Sequence, residues 1–160
     1  MEDKKLKILV IDDKKEELEK AKEAVLQAGH EVVAIQPGKY PAQRFLGNWI
    51  GDEIAKVDAV ITDLYFQSKI QFAETDSGKF PPAGLLVVIE AILQNKPVVI
   101  CTDGSHHEET GWIFDGYISG NRWGPQRFYL RDCKNWERAI QDLYYLVDKL
   151  TEPYKSHEGL

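Results

Sequence analysis

Apolar positions along this chain follow two rhythms. Short runs of β-branched and aliphatic residues recur at Leu6–Ile11, Glu31–Ile35, Val57–Thr62 and Pro97–Thr102. Near-continuous apolar runs of this length are the habit of strands buried on both faces, as in parallel sheets. Between them the period changes to three or four. Leu18, Ala21, Val25 and Ala28 recur so over 14–28, and Phe45, Leu46, Trp49, Ile50 and Ile54 over 41–56. Leu86, Ile89, Ile92 and Leu93 do the same over 83–94, and Trp136, Ile140, Leu143, Val147 and Leu150 over 134–150. These segments are predicted to be amphipathic helices. Gly29 is a natural stop for the first, and Gly47 and Gly51 weaken the second.

Two stretches break the rhythm. Residues 66–82 are long, polar and end in Pro81-Pro82, which reads as an insertion after the third strand. Residues 105–114 are expected to form a short helix, with Ser105 and Glu108 at capping-box spacing. Gly116-Tyr117-Ile118-Ser119 then reads as a brief fifth strand, and 121–132 as irregular. The repeated β-α alternation implies one parallel sheet with helices on both faces. Right-handed crossovers put all the strand ends on one edge.

The chemistry gathers at that edge. The first strand ends in Asp12-Asp13, the central one in Asp63, and the fourth in Thr102. Ligands of open α/β sheets sit beyond the carboxyl ends of such strands. Clustered carboxylates need a counter-charge, and a hard divalent cation with oxygen ligands, Mg²⁺ above all, supplies it. A carboxylate beside that cation is placed to act as a nucleophile toward a phosphoryl group. Taken singly, Asp12 and Asp13 are ordinary helix-capping residues and Asp63 an ordinary loop acid; their convergence with Thr102 carries the reading.

Composition narrows the classes. A chain of 160 residues, 43% hydrophobic and 29% charged, is expected to form one domain over 1–150 with a polar tail at 151–160. A net charge of −6 argues against broad nucleic-acid binding. No apolar run is long enough to span a bilayer, and the N-terminus has no signal-peptide core, so a cytoplasmic protein is expected. Cys101 and Cys133 lack metal-ligand spacing and read as reduced thiols. His106-His107 reads as a polar turn, and Arg122, Arg127 and Arg131 as a solvated face. Trp112, Trp123, Phe128 and Tyr129 either pack the segment down or mark a partner surface.

Together the pieces resemble a response-regulator receiver domain of two-component signalling. The resemblance rests on Ile8 to Asp13, Asp58 to Leu64, Gly84-Leu85-Leu86, Lys96 to Thr102, and Gly116-Tyr117-Ile118, and covers Leu6 to Leu150. It implies a flavodoxin-like, doubly wound five-stranded parallel sheet. It further implies Asp63 as acceptor of phosphate from a histidine kinase or small phosphodonor, and Mg²⁺ held by Asp12, Asp13, Asp63 and the Tyr65 carbonyl. Thr102 becomes the switch hydroxyl and Tyr117 the switch aromatic. Output would run through a protein partner, without nucleic acid or membrane, from a monomer or weak homodimer. The sequence departs from the family in three ways. No lysine follows Tyr117 within 117–121, leaving Arg122 as the nearest cation; the loop after Asp63 is long; and 123–131 adds material before the last helix. The competing readings are a pseudo-receiver that binds partners without phosphorylation and an enzyme or nucleotide binder. Against the last, the first loop has no Gly-rich cradle and Asp12-Asp13-Lys14 is not Asp-x-Asp.

Overall fold

The computed structural model describes residues 4–37, 48–66, 83–103, 128–131 and 133–151. Strands β1 (Lys7–Ile11), β2 (Glu31–Ile35), β3 (Ala59–Thr62), β4 (Val98–Cys101) and β5 (Phe128–Arg131) form one sheet in the order β2-β1-β3-β4-β5. Every neighbouring pair is parallel. The helices are α1 (Lys15–Gln27), α2 (Asn48–Ala55), α3 (Gly84–Leu93) and α4 (Trp136–Thr151).

Alternation along the strands divides the core into two layers. Leu9, Ile11, Val60, Val98 and Ile100 face α2 and α3, meeting Ile50, Ile54, Val87, Val88 and Ala91. Ile8, Val10, Ala59, Ile61, Val99 and Cys101 face α1 and α4, meeting Leu18, Ala21, Val25, Ile140 and Leu143. Both faces of β3 and β4 are therefore sealed, which is why these strands read as unbroken apolar runs.

Helices α1 and α3 stop by the same device. After α1, Gly29 takes φ of 84°, its N–H bonds the Leu26 carbonyl, and the His30 N–H bonds the Val25 carbonyl. After α3, Asn95 takes φ of 59°, bonding Ile92, while the Lys96 N–H bonds Ala91. Each is a Schellman closure with a left-handed residue just past the helix, a place for Gly or Asn.

The fifth strand corrects the sequence reading. The strand beside β4 is Phe128–Arg131, inside the stretch read as irregular, while residues 116–119 lie outside the described ones. The long segment after Phe66 and the helix expected over 105–114 lie outside them too.

One close approach fixes the end of β3 against the next helix. The Gly84 N–H donates to the Leu64 carbonyl at 3.0 Å. A Cβ on Gly84 would lie 2.1 Å from the Asp63 carbonyl oxygen and 2.9 Å from Leu64 Cα. Both are backbone atoms with nowhere to retreat. Gly84→Ala should therefore lose on the order of 2 kcal/mol of stability, as overpacked cores do. Urea denaturation checks this; a midpoint equal to the parent's would contradict the contact.

Candidate functional site

The parallel register delivers the acidic side chains to one place. Ile11 is level with Thr62 and Thr62 with Ile100, so the residues that follow each leave the sheet side by side. The Asp63 N–H donates to the Ile11 carbonyl at 2.8 Å, which continues the pairing past the last strand residue. Carboxylate oxygens of Asp12, Asp13 and Asp63 all lie within 4.8 Å of one another. Asp12 and Asp63 are buried and Asp13 half-buried, so water does little to screen them.

A cation missed in the sequence completes the cluster. Lys134, at the entry to α4, donates to Asp12 Oδ2 and stands 3.3 Å from Asp63 Oδ1. Its side chain is only 9% exposed. Burial works against its charge, but the carboxylates of Asp63 and Asp12 outweigh that and hold the ammonium above its usual range. The same Nζ sits 5.3 Å over the ring of buried Trp136, whose indole N–H donates to Glu17 on α1 at 3.1 Å. The position expected of Arg122, a cation beside the acceptor, is thus held by Lys134. Arg122 and Tyr117 themselves lie outside the described residues. The signal that would have found Lys134 is the apolar triplet Phe128-Tyr129-Leu130 just ahead of the last helix, a strand end like the other three.

Thr102 directly follows β4 and is fully buried, one strand over from Asp63. Tyr65 lies two residues past Asp63 and packs half-buried against the α2–α3 layer. Thr62 donates its hydroxyl to the Asp63 carbonyl at 2.9 Å, and Asp63 Oδ1 accepts the Leu64 N–H at 2.7 Å. Asp12 Oδ1 accepts the Lys14 N–H at 2.9 Å. Backbone N–H groups thus hold the carboxylates of Asp12 and Asp63, while Tyr65 is held by packing.

Three carboxylates and one ammonium leave two formal negative charges in this pocket. At 4.8 Å two carboxylates repel by on the order of 3 kcal/mol even at an effective dielectric of about 20. The cost appears in the titration. Burial pushes Asp12 from 3.8 up to about 6, with Lys134 pulling it only part of the way back. Burial and then the Asp63 charge raise Asp13 as well. Asp13 Oδ1 is buried and has no hydrogen-bond partner among the described residues. An orphaned, charged oxygen facing two more carboxylates is the donor set of a hard divalent cation, so the residues fit Mg²⁺.

A sign follows for stability. Asp12 binds its proton more tightly when folded, so its contribution is fully present below about 3.8 and is lost as pH rises through about 6. Asp12→Asn removes this slope. In EDTA, its stability relative to the parent should improve by about 1 kcal/mol between pH 5 and 7.5. Melting curves at the two pH values test this, and a constant difference would contradict it.

No family model matches this chain, and no curated protein does. Solved structures match over nearly its whole length. A response regulator receiver protein from Sinorhizobium medicae aligns with a TM-score of 0.57 at 16% identity, covering 92% of this chain and 98% of that one. A two-component response regulator from Clostridium difficile gives 0.57 at 18% identity, covering 91% and 98%. The response regulator TrrA from Thermotoga maritima, solved with Mg²⁺-BeF, gives 0.51 at 17% identity, covering 88% and 97%. The strand order, the helices on both faces and these likenesses agree: the chain has the fold of a response-regulator receiver domain.

Proposed function

We propose that this chain is a phosphorylation-dependent signalling domain in which Asp63 accepts a phosphoryl group. The observation that carries the proposal is the position of Lys134 between Asp12 and Asp63, beside an acid trio with an unpartnered oxygen. Asp12, Asp13, Asp63 and the Tyr65 carbonyl would hold Mg²⁺. When bound, the ion neutralises the pocket and the charge of an incoming phosphoryl group.

With an acyl phosphate as donor, a free oxygen of the Asp63 carboxylate attacks phosphorus. The new O–P bond forms as the donor's acyl O–P bond breaks, and the donor leaves as a carboxylate. Charge is conserved and no proton moves. Asp63 Oδ1 already accepts from Leu64 N–H and faces Lys134, which leaves Oδ2 as the attacking atom. Lys134 then has two partners to choose between, Asp12 and the phosphoryl oxygens. Thr102, buried at the neighbouring strand end, would donate its hydroxyl to the same group. Tyr117 as switch aromatic and a histidine kinase as donor remain parts of the proposal that rest on the resemblance alone, as does output through a protein partner in the cytoplasm. Among the described residues, no helix is long and apolar enough to cross a membrane.

The absence of a lysine after Tyr117 favoured a phosphorylation-independent interaction module. Lys134 supplies that cation from another part of the chain, and this supports the acceptor reading over the module. Incubation with acetyl phosphate and Mg²⁺ should add the mass of one phosphoryl group, and both EDTA and Asp63→Asn should abolish the gain. A parent protein that gains no mass and binds no Mg²⁺ would leave the interaction module standing. Phosphate-ester turnover that survives Asp63→Asn would instead indicate an enzyme.

A further inference from the structure

The two strands that flank Asp63 are not neighbours of each other. β3 lies between β1 and β4, with Ile11, Thr62 and Ile100 in one row across the sheet. Lys14 stands three residues past Ile11 and Asp103 three past Ile100. Their side chains meet, Lys14 Nζ donating to the Asp103 carboxylate at 2.8 Å. Two strand spacings amount to about 10 Å, so a pair joining these loops must cross the end of the middle strand. That end is Asp63.

The bridge is easily opened. Both side chains are 55% exposed, and an exposed pair of this kind is worth at most about 1 kcal/mol. The pocket beneath carries two formal negative charges, which repel any phosphorylated donor before Mg²⁺ compensates them. A lysine at the mouth offers an approaching anion the opposite field, and Asp103 cancels that field while the pair is closed.

We propose that Lys14 is a positioning residue for the phosphodonor, an ammonium at the pocket mouth that draws the anionic phosphoryl group toward Asp63 and is restrained by Asp103. The proposal rests on the acceptor reading of Asp63 and deepens it. It differs from a simple tie between two loops in the signs it demands. Removing the restraint must speed phosphoryl uptake, and removing the ammonium must slow it.

The test is the initial rate of phosphoryl incorporation from acetyl phosphate, read by mass spectrometry at saturating Mg²⁺ and low ionic strength. Asp103→Asn should react about fivefold faster than the parent and Lys14→Met about fivefold slower, a modest steering effect. The gap between the variants should shrink at high salt as the exposed charges are screened. Lys14→Gln replaces Lys14→Met should the latter fail to fold. Rates within twofold of the parent overturn the proposal. So do two variants that change in the same direction, which is the behaviour of a steric bar or a structural tie. A parent protein that takes up no phosphoryl group overturns the acceptor reading itself, and the steering role falls with it.

Discussion

The arrangement depends on a charge imbalance that the fold holds in place. Asp12, Asp13 and Asp63 are pressed within 4.8 Å of one another at the end of a sheet sealed on both faces, and Lys134 pairs directly with two of them. Like charges at that separation would move apart if the backbone let them. It does not, because the strands that carry them are registered by hydrogen bonds and flanked by apolar layers. Stability is spent on keeping these charges out of water, and burial first, with the Asp63 charge a smaller contribution, displaces Asp12 up to about 6. A site that costs energy when empty of counter-charge is one that gains most from binding it.

The same constraint explains the supporting residues. Gly84 lets α3 sit on the Asp63–Leu64 backbone, so the Asp63 carboxylate cannot drift along the sheet edge. Trp136 lies under the Lys134 ammonium and is tied to Glu17, which joins the start of α4 to α1. A shift of Lys134 away from Asp12 would thus be felt at the packing of the two helices that cover one face of the sheet.

Much of this was legible in the sequence, and the reasons are local. β1, β3 and β4 are buried on both faces and therefore written as largely apolar runs, and each is followed by one of the candidate residues: Asp12, Asp63, Thr102. Lys134 was not legible in the same way. β5 is an edge strand, its apolar residues Tyr129 and Leu130 only half-buried, and the arginines at 127 and 131 broke the apolar signal. In the sequence Lys134 therefore reads as the start of a helix rather than as following a strand end. The close approach at Gly84 was also invisible, since a glycine opening a helix looks the same whether or not another backbone lies against it. The Lys14–Asp103 bridge needed the strand order, which places two distant residues on either side of Asp63.

The central claim is that Asp12, Asp13 and Asp63 form a single divalent-cation pocket. Anomalous scattering from crystals of the protein grown with Mn²⁺ tests it most directly. The account predicts one strong peak within bonding distance of both Asp13 and Asp63 carboxylates, with Lys134 still beside them. Crystals with no peak there, or with the three carboxylates turned apart, would contradict it.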